Sequence, residues 1–187
     1  MTTNLDRQLQ TALRHTLSDV RVELLQEFDR NFTRQAFFNE QWQRKRRDNG
    51  KPILTDTGTL RRSIGAEVKE NAVTFYSTED YALIHQNGGI IKVTPRMKRY
   101  FWYRYMNAVG KKSKRKDGSF GRTKKNAQLD EDAEFFKAMA LKRVGSSIRI
   151  PQRRFIGMHP SVEAKVRAII ERNFESMINE VDFDFKV

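Results

Sequence analysis

The chain has 187 residues, 38% hydrophobic and 11% aromatic, which is enough for one core and at most a small second unit. It has no cysteine, which excludes disulfides, thiolate catalysis and cysteine-ligated zinc and suits folding in a reducing cytoplasm. The formal net charge of +13 belongs to one place: from Lys92 to Lys125 there are thirteen Lys or Arg residues against one acid, Asp117, so an argument about an anionic partner applies there.

Leu5, Leu9, Leu13, Leu17, Val20, Leu24, Phe28 and Phe32 recur every three or four residues. That spacing predicts an amphipathic helix over about the first forty residues. Phe37, Phe38 and Trp42 either continue it or begin another. QRKRRDNGKP (43–52) then breaks the pattern with a charge run, Asn-Gly and proline, and reads as a solvated loop. The N-terminal stretch has no long apolar run, and no segment approaches the ~20 apolar residues of a membrane span, so a soluble protein without a membrane partner is expected.

After Pro52 the period changes. Ile64–Val68 and Ala72–Tyr76 alternate apolar and polar residues around Lys69-Glu70-Asn71, which predicts a β-hairpin. Asp80–Gln86 reads as a brief helical turn ended by Asn87-Gly88-Gly89, and Ile90–Thr94 as a strand. Pro95 can start a helix carrying Tyr100, Phe101, Trp102, Tyr103 and Tyr105. The Lys, Gly and Ser stretch that follows, 110–126, has almost nothing to bury and is expected to be mobile. Asp130–Lys142 reads as a helix with acids in its first turn and Lys in its last. Ser146–Pro151 reads as a last strand, and Pro160–Val181 as a closing helix with Val162, Val166, Ile169, Ile170, Phe174, Met177, Ile178 and Val181 on one face. The order predicts an α+β fold: a small antiparallel sheet packed against long N- and C-terminal helices, in a single domain over 1–187 with an insertion at 95–147.

The most chemical-looking residues are Asp56-Thr57-Gly58, the tripeptide of aspartic proteases. That mechanism needs two carboxylates sharing a proton. No second Asp-Ser/Thr-Gly occurs, so Asp56 would have to meet its copy across a dimer axis. The competing reading is that Asp56 or Thr57 caps a short helix, with Leu60 and Ile64, four apart, facing the core together. His15, His85 and His159 lie on three different elements without metal-ligand spacing, so neither metal nor cofactor is expected, and His85 is expected to hydrogen-bond at the end of its turn. The aromatic run offers either a base-stacking surface, with Trp102 and Tyr103 beside cations, or a helix packed on the core or on a neighbouring subunit. The basic stretch holding Lys111, Lys112, Lys114, Arg115 and Lys116 could meet DNA, meet an acidic protein surface, or stay solvated.

Taken in order, several pieces resemble the Mu-type phage virion morphogenesis family, whose members act in tail completion and head–tail joining. Ile53, Leu54, Asp56, Thr57, Gly58, Leu60, Ser63 and Ile64 match its first segment. Tyr81, Ala82, His85, Gln86 and Gly89 match its Tyr-Ala-x-x-His-Gln segment, and Ile150, Pro151, Arg153, Phe155 and Gly157 its Ile-Pro-x-Arg-x-Phe-x-Gly segment. The stretch from about Thr94 to Ser147 departs from the family, being short in many relatives. The resemblance implies a non-enzymatic structural protein of the virion neck or tail, phage or prophage encoded, assembled in the host cytoplasm. Its implied partners are copies of itself in a ring and other neck, connector or tail-tube proteins, with non-specific contact to genomic DNA possible. On that view 111–128 is mobile in the free subunit and ordered in the assembled neck. The alternative is a general nucleic-acid-binding protein using 96–125.

Overall fold

In chain order the elements are α1 (Asn4–Arg34), β1 (Ala36–Phe37), β2 (Glu40–Gln41), α2 (Thr59–Arg62), β3 (Ile64–Lys69), β4 (Ala72–Ser77), α3 (Ala82–Asn87), β5 (Gly89–Lys92), α4 (Pro95–Gly110), α5 (Lys124–Leu141), β6 (Ser147–Ile150) and α6 (Pro160–Asn179). The computed structural model describes residues 4–45 and 50–179, so most of the charge run 46–49 and the end of the predicted last helix lie outside the described residues. The described chain forms two compact units, Met1–Gly89 with Pro151–Val187, and Ile90–Ile150. Long terminal helices with small two-stranded sheets between them make the fold α+β, as the sequence predicts.

The first unit is organised by α1. Ala12, Thr16, Val20, Leu24, Phe28 and Phe32 are buried at the three- and four-residue spacing of one helix face. Val20, Leu24 and Phe28 pack with Phe37 and with Val162 and Ile169 of α6, while Phe32 joins Trp42, Leu60, Ala82 and Phe155 in a second cluster. The hairpin β3–β4 runs in register from Ile64↔Ser77 to Lys69↔Ala72. It adds Phe75 edge-on to Phe28, with ring centroids 5.2 Å apart. The α6 helix starts on Pro160, and His159 caps it, its Nδ1 accepting from the Ser161 N–H at 3.1 Å.

Two expectations are corrected here. The apolar stripe does not stay buried along all of α1: Leu5 is 52% and Leu9 40% exposed. Phe37, Phe38 and Trp42 neither extend α1 nor begin a helix. Positive φ at Gln35 (57°) and Phe38 (54°) turns the chain into the short β1–β2 ladder, and the buried Asn31 fixes the turn by accepting from the Phe38 N–H at 3.0 Å. Burial of three rings within six residues overrides helical continuity.

The second unit pairs β5 with β6 and packs α4 along α5. Its buried residues are mostly small: Ala108, Ala133 and Ala140 with Val93, Phe136 and Asn126. Phe101 stacks near Phe136 with centroids 6.4 Å apart, and the Arg104 guanidinium lies 4.7 Å over the same ring. Thr94 caps α4 by accepting from the Met97 N–H at 3.2 Å, one residue before Pro95. The predicted helix from Asp130 begins six residues earlier, at Lys124, because Thr123 accepts from the Asn126 N–H at 3.1 Å; its first turn therefore holds no acid. The stretch expected to be mobile carries local contacts. Lys114 and Phe120 form a bridge, and Arg115 N–H donates to Ser119 O at 2.7 Å. Buried Asn126 accepts from Ser113 N–H at 2.9 Å and donates to Ser113 O and Gly121 O at 2.9 and 2.6 Å. One amide thus replaces the hydrophobic contacts the composition lacks.

Candidate functional site

Residues from all three sequence segments converge in the first unit. The amide of Gln35 grips Ile53 as a strand neighbour would: its Oε1 accepts from Ile53 N–H, and its Nε2 donates to Ile53 O at 3.2 Å. The chain then turns at Leu54 (φ 60°) and reaches Gly58 (φ 73°), which is the residue preceding α2. That left-handed conformation suits glycine. Gly58 has no side chain to cap α2; of the two expected candidates Thr57 reaches the helix start, its Oγ1 accepting from the Thr59 N–H at 3.4 Å, while the Asp56 carboxylate pairs with Lys51. Arg62 also steadies the turn, donating to Thr57 O at 3.1 Å. Leu60 is buried and Ile64 packs against the same cluster, as their spacing predicts. Ser63 Oγ donates to Leu60 O and lies within 2.7 Å of Ser77 Oγ, tying α2 to β4.

The second and third segments are joined by side-chain amides in place of a sheet ladder. Gln86 Oε1 accepts from Phe155 N–H at 3.0 Å, and its Nε2 donates to Ile156 O at 2.5 Å. Asn31 Nδ2 donates to Phe155 O at 3.2 Å, and Trp42 Nε1 to Arg154 O at 2.6 Å. Phe155 is thereby held in the core, 1% exposed, against Phe32. Gly88 (φ 68°) lies so close to the returning chain that a Cβ there would sit 2.7 Å from the Gln152 nitrogen. Gly89 opens β5, Pro151 follows β6, and Gly157 lies on a bend.

These contacts frame a cavity of about 290 Å³ lined on its apolar side by Pro52, Ile53, Leu54 and Leu60. Its polar side holds Lys45, Asp56, Thr57, Thr59, Tyr81, His85 and Arg153. Ser63, Ile64, Ala82, Gln86, Gly89, Pro151, Phe155 and Gly157 do not line it and act as its scaffold. Arg153 is 9% exposed; its Nε and Nη2 donate to Gln43 O at 3.1 and 3.0 Å, and its backbone N–H donates to His85 O at 2.7 Å. His85 hydrogen-bonds at its turn through its backbone carbonyl, while its ring Nδ1 is buried without a partner among the described residues. Burial, and then the Arg153 charge, hold the imidazole below its ordinary pKa. Burial likewise lowers Arg153. Among the described residues Asp56 is the one carboxylate lining the cavity, so no second described carboxylate shares a proton with it there. His15 and His159 stand elsewhere, on α1 and ahead of α6.

A second concavity is larger and was not anticipated. Leu13, Leu17, Val73, Phe75, Val166 and Phe174 line an open groove of about 1300 Å³ along α1, β4 and α6. Its residues read in the sequence as ordinary core positions. The available signal was that both helices carry more apolar turns than one small hairpin can cover.

In the second unit Trp102 and Tyr103 are 40% and 65% exposed, on the side of α4 away from Phe101 and Ala108. Met106, also exposed, extends this surface. Lys111, Lys114, Arg115 and Lys116 are exposed as well. Lys112 differs from them in its ion pair with Asp130; it lies 5.3 Å over the Phe120 ring, which Lys114 also faces at 5.9 Å. The structure thus keeps the aromatic and basic candidates within one unit, and the motif residues other than Ile150 in the other.

The phage virion morphogenesis family model matches residues 2–175. The chain belongs to that family, and hence to the proteins that build phage particles. No curated protein and no solved structure matches it. Among the described residues no helix is long and apolar enough to cross a membrane.

Proposed function

We propose that this virion morphogenesis protein is a non-enzymatic subunit of the phage neck or tail, acting in tail completion or head–tail joining as a ring of identical copies. The observation that carries the reading is the open apolar groove along α1, β4 and α6. Grooves lined by apolar side chains and rimmed by polar ones mark protein–protein contact sites on many soluble proteins. A ring needs two different patches on each subunit, one complementary to the other. The groove supplies one, and the exposed Trp102, Tyr103 and Met106 of α4 supply a candidate for the other. The basic residues Lys111, Lys114, Arg115 and Lys116 would then face an acidic neighbouring protein or the passing genome.

The test is to tag the chain in an infecting phage, purify particles and locate it by cryo-electron microscopy. A ring at the head–tail junction or tail end is expected, with native mass spectrometry of the isolated chain showing concentration-dependent oligomers. Particles that are complete without the protein would overturn the assignment. The nucleic-acid reading predicts instead that deleting 111–125 weakens DNA binding and flattens its salt dependence, with particles unaffected.

A further inference from the structure

We infer that the cavity beneath the three sequence segments is a carboxylate-binding site, built to accept an Asp or Glu side chain of a neighbouring protein in the particle. The inference rests on the assembly role proposed above for its choice of partner, and on the structure for its chemistry.

Arg153 is the centre of the argument. A guanidinium carries five N–H donors and a permanent charge. Here it is nine-tenths buried, yet its hydrogen bonds go to one neutral acceptor, the Gln43 carbonyl, and Nη1 has no hydrogen-bond partner among the described residues. Buried charges are ordinarily paired, because desolvation costs several kcal/mol per ion. The contrast within this chain is direct: buried Glu27 is met by Arg30, Arg34 and Lys165. The second observation is independent of the first. His85 lines the same cavity, and its Nδ1 is buried with no partner among the described residues. An unpaired cation and an unpartnered ring nitrogen that share one cavity match a carboxylate, which offers two oxygens with about four acceptor sites. The wall of Pro52, Ile53, Leu54 and Leu60 suits an aliphatic stem. Asp56 at the rim disfavours a polyanion such as a nucleic-acid strand. The charged and titratable groups facing His85 across the cavity are Arg153, Lys45, Asp56 and Tyr81.

The full-length chain is titrated with glutarate, with inorganic phosphate and with sodium chloride at matched ionic strength, following the His85 ring ¹⁵N and ¹H resonances. Glutarate is expected to shift them saturably and to raise the His85 pKa, because an anion in the cavity favours the imidazolium. A rise of one unit corresponds to about tenfold tighter glutarate binding to the protonated ring. His85→Gln should weaken binding without unfolding the protein, and the wild-type titration stands alone if that variant misfolds. An equal saturable response to phosphate would overturn the carboxylate assignment. No saturable response to either anion would overturn the site itself. Because the titration reads the isolated chain, its failure is distinguishable from failure of the ring assignment, which is read from particles.

Discussion

Replacing Gln86 with leucine tests whether side-chain amides hold the 151–157 segment in place of a sheet. The substitution keeps the side chain's approximate size and removes the acceptor for Phe155 N–H and the donor to Ile156 O, at 3.0 and 2.5 Å. These two partly buried backbone groups then lose their partners, at about 1–3 kcal/mol each, and the Ile156 N–H loses a longer contact of 3.4 Å to the same Oε1. Added apolar burial by leucine offsets about 1 kcal/mol at most, because the site is half-buried. The net expectation is a loss of about 2–4 kcal/mol, a large share of the 5–15 kcal/mol typical of a folded domain. For a chain of this size that lowers the melting temperature by about 5–15 °C. Denaturant unfolding followed by far-UV circular dichroism gives the free energy, and Trp42 fluorescence reports the segment locally through its bond to Arg154 O. A midpoint within experimental error of the wild type would refute the reasoning, showing that Phe155 burial alone retains the segment.

Further outcomes follow from other contacts. Gly88→Ala should destabilise by at least about 1 kcal/mol, since it combines a positive φ with a Cβ 2.7 Å from the Gln152 nitrogen, and thermal melts will show it. Acidification should act in two stages. His85, depressed mainly by burial, contributes stability that is full above about pH 6.5 and is lost as pH falls through its folded value. Glu27 is raised by desolvation but carried lower by Arg34 and Lys165, and Asp29 is lowered by Arg61; their contributions are lost below about pH 4. Unfolding free energies from pH 8 to 3 measure both stages, and removal of the upper one by His85→Gln identifies its source. Asn126→Ala should release the basic hairpin, seen as faster hydrogen exchange at Ser113–Gly121 with helices α4 and α5 still protected. Asp56→Asn should change stability by no more than about 1 kcal/mol, because an exposed pair with Lys51 contributes little, and should leave particle assembly intact.

What was legible in the sequence was whatever periodicity encodes. The β3–β4 hairpin, α4 from Pro95 and α6 from Pro160 lie where alternation, proline and apolar spacing put them. Single polar side chains decided what was missed. Asn31 turns the chain after α1, Thr123 starts α5 early, and Asn126 folds a stretch whose composition has nothing to bury. None of these roles has a periodic signature, because each depends on a backbone group that becomes a neighbour only after folding. The cavity was half legible. The segments that line it were visible as residues, but that Arg153 is buried without an ion pair to a described acid is a fact of three dimensions. The groove was signalled only by the excess of apolar turns on α1 and α6 over what one small hairpin can cover.

The separation between Asn31 and Phe155, 124 residues apart in sequence and hydrogen-bonded in the fold, sets a schedule for synthesis. At ~5–20 residues per second the ribosome needs about 6–25 s to deliver Phe155 after Asn31. The 90–150 unit is completed only in the last few residues of that interval, and throughout it Phe28, Phe32 and Phe37 wait for Phe155, Val162 and Ile169. The nascent chain therefore presents an unclosed aromatic helix for most of its translation. Chaperone occupancy should be concentrated on α1, and premature termination before residue 155 should yield an insoluble product instead of a folded fragment.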